Sequence, residues 1–172
     1  AEVSEYIGKA ITAAKKMEDM VDAVRKQLSR QENKALFSIN DEIAQVLEVL
    51  SHKAQKSGVV MRFFSRQEIK TYGDAVKFNQ VALNLAANAI DAYRDKENAD
   101  ARTVTMSLAQ EGNAIIFEVK DKGAGISEEN KPKLFEPFFT TKKEGYGIGI
   151  GLSIVKRIIE KDFGGSVEVI SK

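Results

Sequence analysis

Two asparagines four residues apart open the chemical case, in the run Asn84-Leu-Ala-Ala-Asn88-Ala-Ile-Asp91-Ala. On a helix this spacing turns both amides the same way, beside the apolar Leu83, Leu85 and Ile90. Asparagine is a mediocre helix former because its amide competes for backbone hydrogen bonds, so a pair in mid-helix needs partners. Those partners are either a structural amide network or a ligand. Further on, Asp121-Lys-Gly123-Ala-Gly125-Ile126 offers a carboxylate that accepts from an amine and glycines that let a ring approach the backbone. Alone, the same pattern also spells a plain turn. A third run, Leu134-Phe-Glu-Pro-Phe138-Phe-Thr140-Thr141-Lys142-Lys143, places two aromatics beside a proline and then hydroxyls and lysines. It reads as the hinge and rim of a lid, or as a loop anchored in the core by Phe135 and Phe138. Last comes Gly145-Tyr-Gly147-Ile-Gly149-Ile-Gly151-Leu152-Ser153, alternate glycines running into an apolar helix. Free N–H groups and the helix dipole there suit phosphate. No Gly-Lys-Ser/Thr follows, and no glycine stands three places after a Gly-x-Gly, so neither the Walker loop nor the dinucleotide fingerprint applies.

The elements that must position these groups follow from periodicity and punctuation. Ile7, Ala10, Ala14, Met17, Val21, Val24 and Leu28 alternate spacings of three and four, a heptad seam on a long N-terminal helix over residues 1–34. Such a seam pairs with other helices in a dimer, or packs on its own domain. Residues 35–172 then form the second domain. A short strand is expected over Ala35–Ile39, with Asn40 capping a helix from Asp41 to about Ser57 that Gly58 stops. A strand follows over Val59–Phe64, and Asp74 caps a long helix reaching about Arg94. Strands over Thr103–Ala109 and Ala114–Lys120 join through Glu111-Gly112-Asn113. Ser127 opens a short helix, another helix runs from Gly151 to about Lys161, and Ser166–Ile170 is a final strand. This order predicts an α+β fold, a two-layer α/β sandwich whose helices lie on one face of a mixed sheet.

Composition narrows the partners. Hydrophobic residues make up 43% and charged residues 30%, the balance of a globular chain. A formal net charge of +1 gives no field that draws the protein to nucleic acid or to an anionic membrane. The absence of cysteine excludes disulfides, thiolate zinc sites and cysteine nucleophiles. No apolar run is long enough to span a bilayer.

In this order and spacing, the four clusters resemble the N, G1, F and G2 boxes of bacterial sensor histidine kinases. The likeness extends over about Phe37 to Ile170, and the wording Asn-Ala-Ile-Asp-Ala and Thr-Thr-Lys is similar to the nitrogen-regulation branch. The resemblance implies the Bergerat ATP-binding fold shared with Hsp90, DNA gyrase and MutL, and the cofactors ATP and Mg²⁺. It implies that Asp121 bonds the adenine amine beside Gly123, Gly125 and Ile126, and that Asn88 holds Mg²⁺ with Asn84 in support. By the same likeness Gly147, Gly149, Gly151 and Leu152 close over the triphosphate, with Thr140, Thr141 and Lys142 at the rim. Residues 1–34 resemble the second helix of the family's dimerisation hairpin, which implies a homodimer and a response-regulator receiver domain as partner. The implied location is the cytoplasm, or the cytoplasmic part of a membrane-bound sensor.

Several positions depart from that family's pattern. The sole histidine, His52, has no acid after it and lies on the helix of the ATP domain, so it reads as an exposed helix residue. The phospho-accepting histidine is expected before Ala1 or on another chain. Asp91 stands where many relatives carry a basic phosphate contact, leaving Lys142, Lys143 or Arg94 as substitutes. Relatives usually continue past Ser171-Lys172 into one more strand. Asp162-Phe163-Gly164 follows the glycine run rather than a catalytic loop, so its likeness to the protein-kinase magnesium motif is accidental. Three functions remain: the ATP-binding part of a histidine kinase, a non-catalytic nucleotide-binding module, and an ATP hydrolase. The hydrolase is disfavoured, because those relatives carry a glutamate base where this chain has Asn84.

Overall fold

The computed structural model describes residues 33–94, 102–142 and 147–171. The first element, β1 (Lys34–Ser38), leads directly into helix α1 (Ile39–Lys56). Ser38 caps α1 from an extended conformation, its hydroxyl accepting from the Asp41 N–H at 3.3 Å. Asp41 and Glu42 in the first turn and Lys53 and Lys56 in the last complement the helix dipole. Asn40, expected to be the cap, lies inside the helix. Its amide accepts from the Ile69 N–H at 2.8 Å and donates to the Gln67 carbonyl at 3.2 Å, so it ties down a distant loop instead. Gly58, at φ 63°, ends the segment in the left-handed conformation that glycine adopts without strain.

Beyond β2 (Val60–Ser65) comes β3 (Lys70–Asp74), a strand absent from the sequence expectation. It pairs antiparallel with β1, placing Leu36 opposite Tyr72. Asp74 then caps α2 (Ala75–Asp91), its carboxylate accepting from the Val76 and Lys77 N–H groups at 3.0 and 3.2 Å. Strands β4 (Thr103–Glu111) and β5 (Ala114–Lys120) turn back on each other at Gly112 and complete a sheet in the order β2-β4-β5. β2 runs parallel to β4, and β4 antiparallel to β5, so the sheet is mixed.

Alternation along β4 buries Val104, Met106 and Leu108, which meet Ile43, Val46 and Leu50 of α1 and Phe78, Ala82 and Ala86 of α2. The opposite face leaves Val60, Phe64 and Ile116 exposed. The helices therefore cover one face of the sheet, the two-layer arrangement that the sequence predicts. A second apolar cluster joins Val81 of α2 to Ile154, Val155 and Ile158 of α3 (Gly151–Asp162). At its far end α3 is held by Lys77 Nζ, 2.5 Å from the Asp162 carboxylate, and by Phe163 packed edge-on against Phe37 and Phe78.

Two local expectations change. The helix expected at Ser127 is a set of turns with one 3-10 turn, Lys131–Lys133, because Pro132 supplies no N–H and its ring opposes a regular continuation. Residues 166–170 carry no sheet pairing. Gly164 at φ 65° turns the chain off α3, and Val167 packs on the second apolar cluster without joining a ladder. Residues 33–139 and 149–171 form one compact unit, while Thr140–Ile148 belongs to another. The expected dimerisation helix lies outside the described residues except for its last two positions, of which Lys34 opens β1. Among the described residues no helix is long and apolar enough to cross a membrane.

Candidate nucleotide site

The site is organised around the C-terminal half of α2. Asn84 and Asn88 are half-buried on its flank, and the first residue of α3 comes up against them. A Cβ at Gly151 would stand 3.5 Å from Asn84 Oδ1 and 3.8 Å from Asn88 Nδ2. The N-terminus of α3 is therefore presented beside the amide pair. Among the described residues no side chain caps it and no acid sits in its first turn, an arrangement that suits an anion. Ser153 Oγ donates back to the Ile150 carbonyl at 2.8 Å instead of capping the helix.

At the end of α2 the chain receives the Asp121 turn. Gly123 lies so close that a Cβ would fall 2.4 Å from Ala92 Cβ and 2.5 Å from its carbonyl oxygen. The Ala124 N–H bonds that same carbonyl at 2.9 Å. Asp121 is exposed, and its Oδ1 accepts from the Gly123 N–H at 2.8 Å. Its other oxygen makes no hydrogen bond among the described residues. Gly125 adopts φ 70°, and the Ile126 N–H bonds Ser171 Oγ at 2.9 Å. Carboxylate, amides and a helix N-terminus thus converge within two turns of one helix.

The aromatic segment meets the glycine run just before α3. Gly149, at φ 75°, touches the backbone of Phe138 and Phe139, where a Cβ would fall 2.5–2.7 Å from three backbone atoms. Only glycine fits both the conformation and the approach. Phe135 is half-buried with Lys156 Nζ 5.5 Å from its ring centroid. Phe138 does not enter the core. It is 56% exposed, with the left-handed φ of 69° that a bulky residue rarely adopts. Within its own unit, Thr140 Oγ1 accepts from the Lys142 N–H at 3.1 Å, and a Cβ at Gly147 would lie 3.3 Å from the Lys142 side chain. Thr141 is exposed there, and Lys143 lies outside the described residues.

Asp91 has a different neighbourhood from the other candidates. Its carboxylate, with a side chain 10% exposed, pairs with Lys53 at 2.9 Å and Arg94 at 3.2 Å. Lys53 also donates to the Ala87 carbonyl at 3.4 Å, so α1 braces the amide-bearing stretch of α2. His52 is exposed on α1, as its sequence context predicts. Sequence reasoning passed over Lys53 and Tyr93. Tyr93 is 1% exposed, and its hydroxyl donates to the Thr103 carbonyl at 2.8 Å and accepts from the Lys122 N–H at 2.7 Å. A tyrosine ending an apolar helix face was the available signal, since a buried phenol needs a partner.

Residues 73–172 match the family described as histidine kinase-, DNA gyrase B- and HSP90-like ATPase. The chain belongs to this family, as the ATP-binding catalytic domain of its sensor histidine-kinase members. It is 33% identical over 162 residues to the sensor kinase CckA of Brucella abortus (strain 2308), a match covering 88% of this chain and 17% of that protein. Among solved structures it is similar to the nucleotide-free catalytic domain of histidine kinase ThkA, with TM-score 0.64 and 30% identity over 76% of this chain and 82% of that one. It is also similar to ThkA in complex with the response regulator TrrA, with TM-score 0.71 and 25% identity over 94% of this chain and 45% of that one. The chain thus spans less than a fifth of the length of CckA.

Proposed function

We propose that this domain binds ATP across the end of α2 and presents the γ-phosphate to a histidine on another helical element of the kinase. The observation that carries this reading is the meeting of Gly151 with Asn84 and Asn88, which sets an uncapped helix N-terminus beside two amides. Asp121 Oδ2 accepts from the adenine amine, and Gly123, Gly125 and Ile126 let the ring lie against the backbone. The N–H groups of Gly151 and Leu152 face the phosphates with Gly149 fixed just before them, and Gly147, Thr140, Thr141 and Lys142 order with the triphosphate. Asp91 acts from behind, through its ion pairs with Lys53 and Arg94.

Magnesium fits these residues as a passenger of the nucleotide. Among the described residues no group of His, Cys, Asp and Glu side chains could hold a metal, whereas the amide of Asn88, whose nitrogen is the atom nearest Gly151, also carries a hard oxygen of the kind magnesium takes. Asn88 would hold the ion with Asn84 in support, and the bound ion neutralises charge on the phosphates. Phosphoryl transfer asks mainly for positioning and charge neutralisation, which is what these groups supply. The whole kinase then works as a homodimer through the segment that precedes β1, on the cytoplasmic side, and passes the phosphoryl group to a response-regulator receiver domain. The test mixes this chain with a fragment carrying a family hairpin and its acceptor histidine, in the presence of γ-labelled ATP. Acid-labile label on the hairpin is expected. Label on His52, or none on the hairpin while ATP is bound, would overturn the proposal.

A further inference from the structure

A buried phenol is held where it is partly by what its hydroxyl bonds, because a buried hydroxyl without partners costs free energy. At Tyr93 the two partners come from separate stretches of chain, so the residue ties three stretches together. The ring follows α2 and is 1% exposed. The hydroxyl donates to the carbonyl of Thr103, the first residue of β4, at 2.8 Å. It accepts from the N–H of Lys122, next to Asp121, at 2.7 Å. Beside it, Ala92 takes the Ala124 N–H at 2.9 Å and packs against Gly123. The turn that carries Asp121 is thus bonded on both sides of Gly123 to consecutive residues of one helix end, while Asp121 itself is exposed.

We infer that Tyr93 is a positioning residue for recognition of the nucleotide base. Its hydroxyl fixes the Asp121 turn against the end of α2, so that the free carboxylate oxygen is aimed before ligand arrives. The inference rests on Asp121 as the group that accepts from the adenine amine. Tyr93 is buried away from the nucleotide and acts only through the turn. Phenylalanine at this position keeps the ring and its packing but leaves the Lys122 N–H and the Thr103 carbonyl without the hydroxyl. The turn then loses its fixed register, and the loss falls on the contact that Asp121 makes.

The experiment compares ATP with inosine triphosphate, which carries a carbonyl where adenine carries its amine, by titration calorimetry on the whole chain. In Tyr93→Phe, affinity for ATP should fall by about tenfold, the size of one misplaced charge-assisted hydrogen bond, while affinity for inosine triphosphate stays within about twofold. Equal losses for both nucleotides, or no loss for either, would overturn the inference, since a merely structural tyrosine does not discriminate bases. Asp121→Asn run in parallel separates the two layers of the argument. If it leaves the ATP preference intact, the base-site reading itself fails. If it abolishes the preference and Tyr93→Phe does not, the positioning role alone fails. Should Tyr93→Phe not fold, hydrogen exchange at the Lys122 amide of the unaltered chain decides. Protection comparable to that of α2 supports the bond, and exchange at the rate of an open loop overturns it.

Discussion

The Lys77 ammonium lies 2.5 Å from the Asp162 carboxylate, joining the first turn of α2 to the last residue of α3. Because Gly151 at the other end of α3 meets Asn84 and Asn88, this ion pair and the amide site lie at opposite ends of one helix pair. The side chains are 30% and 19% exposed, between the surface and core regimes. Lys77→Met should therefore lower stability by about 1–2 kcal/mol, less than a fully buried pair and more than a surface one. The exchange Lys77→Asp with Asp162→Lys should restore part of the loss, as read by urea unfolding.

Asp121→Asn should weaken ATP binding by about 1–3 kcal/mol while leaving the melting temperature nearly unchanged. The side chain is exposed and its one internal bond is local, so the fold does not depend on its charge. Calorimetry showing unaltered affinity would remove Asp121 from the base site.

The two glycines flanking the start of α3 should respond in opposite ways. Gly149→Ala combines a left-handed φ of 75° with backbone atoms 2.5–2.7 Å from the new Cβ, and should destabilise the domain by about 1–3 kcal/mol. Gly151→Ala places a Cβ 3.5 Å from Asn84, ordinary contact, at a helical position that alanine favours. It should leave stability intact and weaken nucleotide binding by crowding the approach to the amides. Unfolding curves set beside binding isotherms of the two variants test both halves.

Glu118 supplies a pH test away from the site. The Lys120 ammonium at 2.8 Å holds its carboxyl below the usual carboxylate range, against the opposing effect of partial burial and with help from the Ser107 hydroxyl at 3.2 Å. A folded value below the unfolded one means that the contribution is fully present above the unfolded value of about 4.3 and is lost as pH falls through the folded value. The gap in stability between the native chain and Glu118→Gln should be small, because the side chain is 43% exposed. It should narrow as pH falls below the unfolded value of about 4.3, and shrink in high salt. A gap independent of pH would assign the effect to packing.

Thr140, Thr141, Lys142, Gly147 and Ile148 are expected to become protected when the γ-phosphate binds. Amide exchange there should slow more with a non-hydrolysable ATP analogue than with ADP, since only the former offers the terminal anion. Identical exchange in the free, ADP-bound and analogue-bound states would show a loop indifferent to ligand.

Much of this arrangement could be read from local chemistry. Asp74 announced α2 because an aspartate before a helical pattern has one evident use, and β4 and β5 showed through alternation and the Gly112 turn. The four clusters were legible because their residue types are poor choices for plain structure. What stayed hidden depends on partners far along the chain. β3 is five residues, Lys-Thr-Tyr-Gly-Asp, whose strand character comes from pairing with β1 rather than from its composition. Asn40 looked like a cap, yet its amide is taken by Ile69 and Gln67, and Ser38 caps in its place. The exposed Phe138 reversed an expectation founded on hydrophobicity, because the close approach of Gly149 sets its backbone.

The amide pair has a consequence in time. Asn84 and Asn88 can orient groups, but neither accepts a proton at neutral pH, so they do not activate water. In the site proposed above, triphosphate held between them and the N-terminus of α3 would be a charge kept in store. Its lifetime would then be set by the arrival of an acceptor rather than by these two amides, and the interval between loading and discharge would be open to control by whatever moves the acceptor.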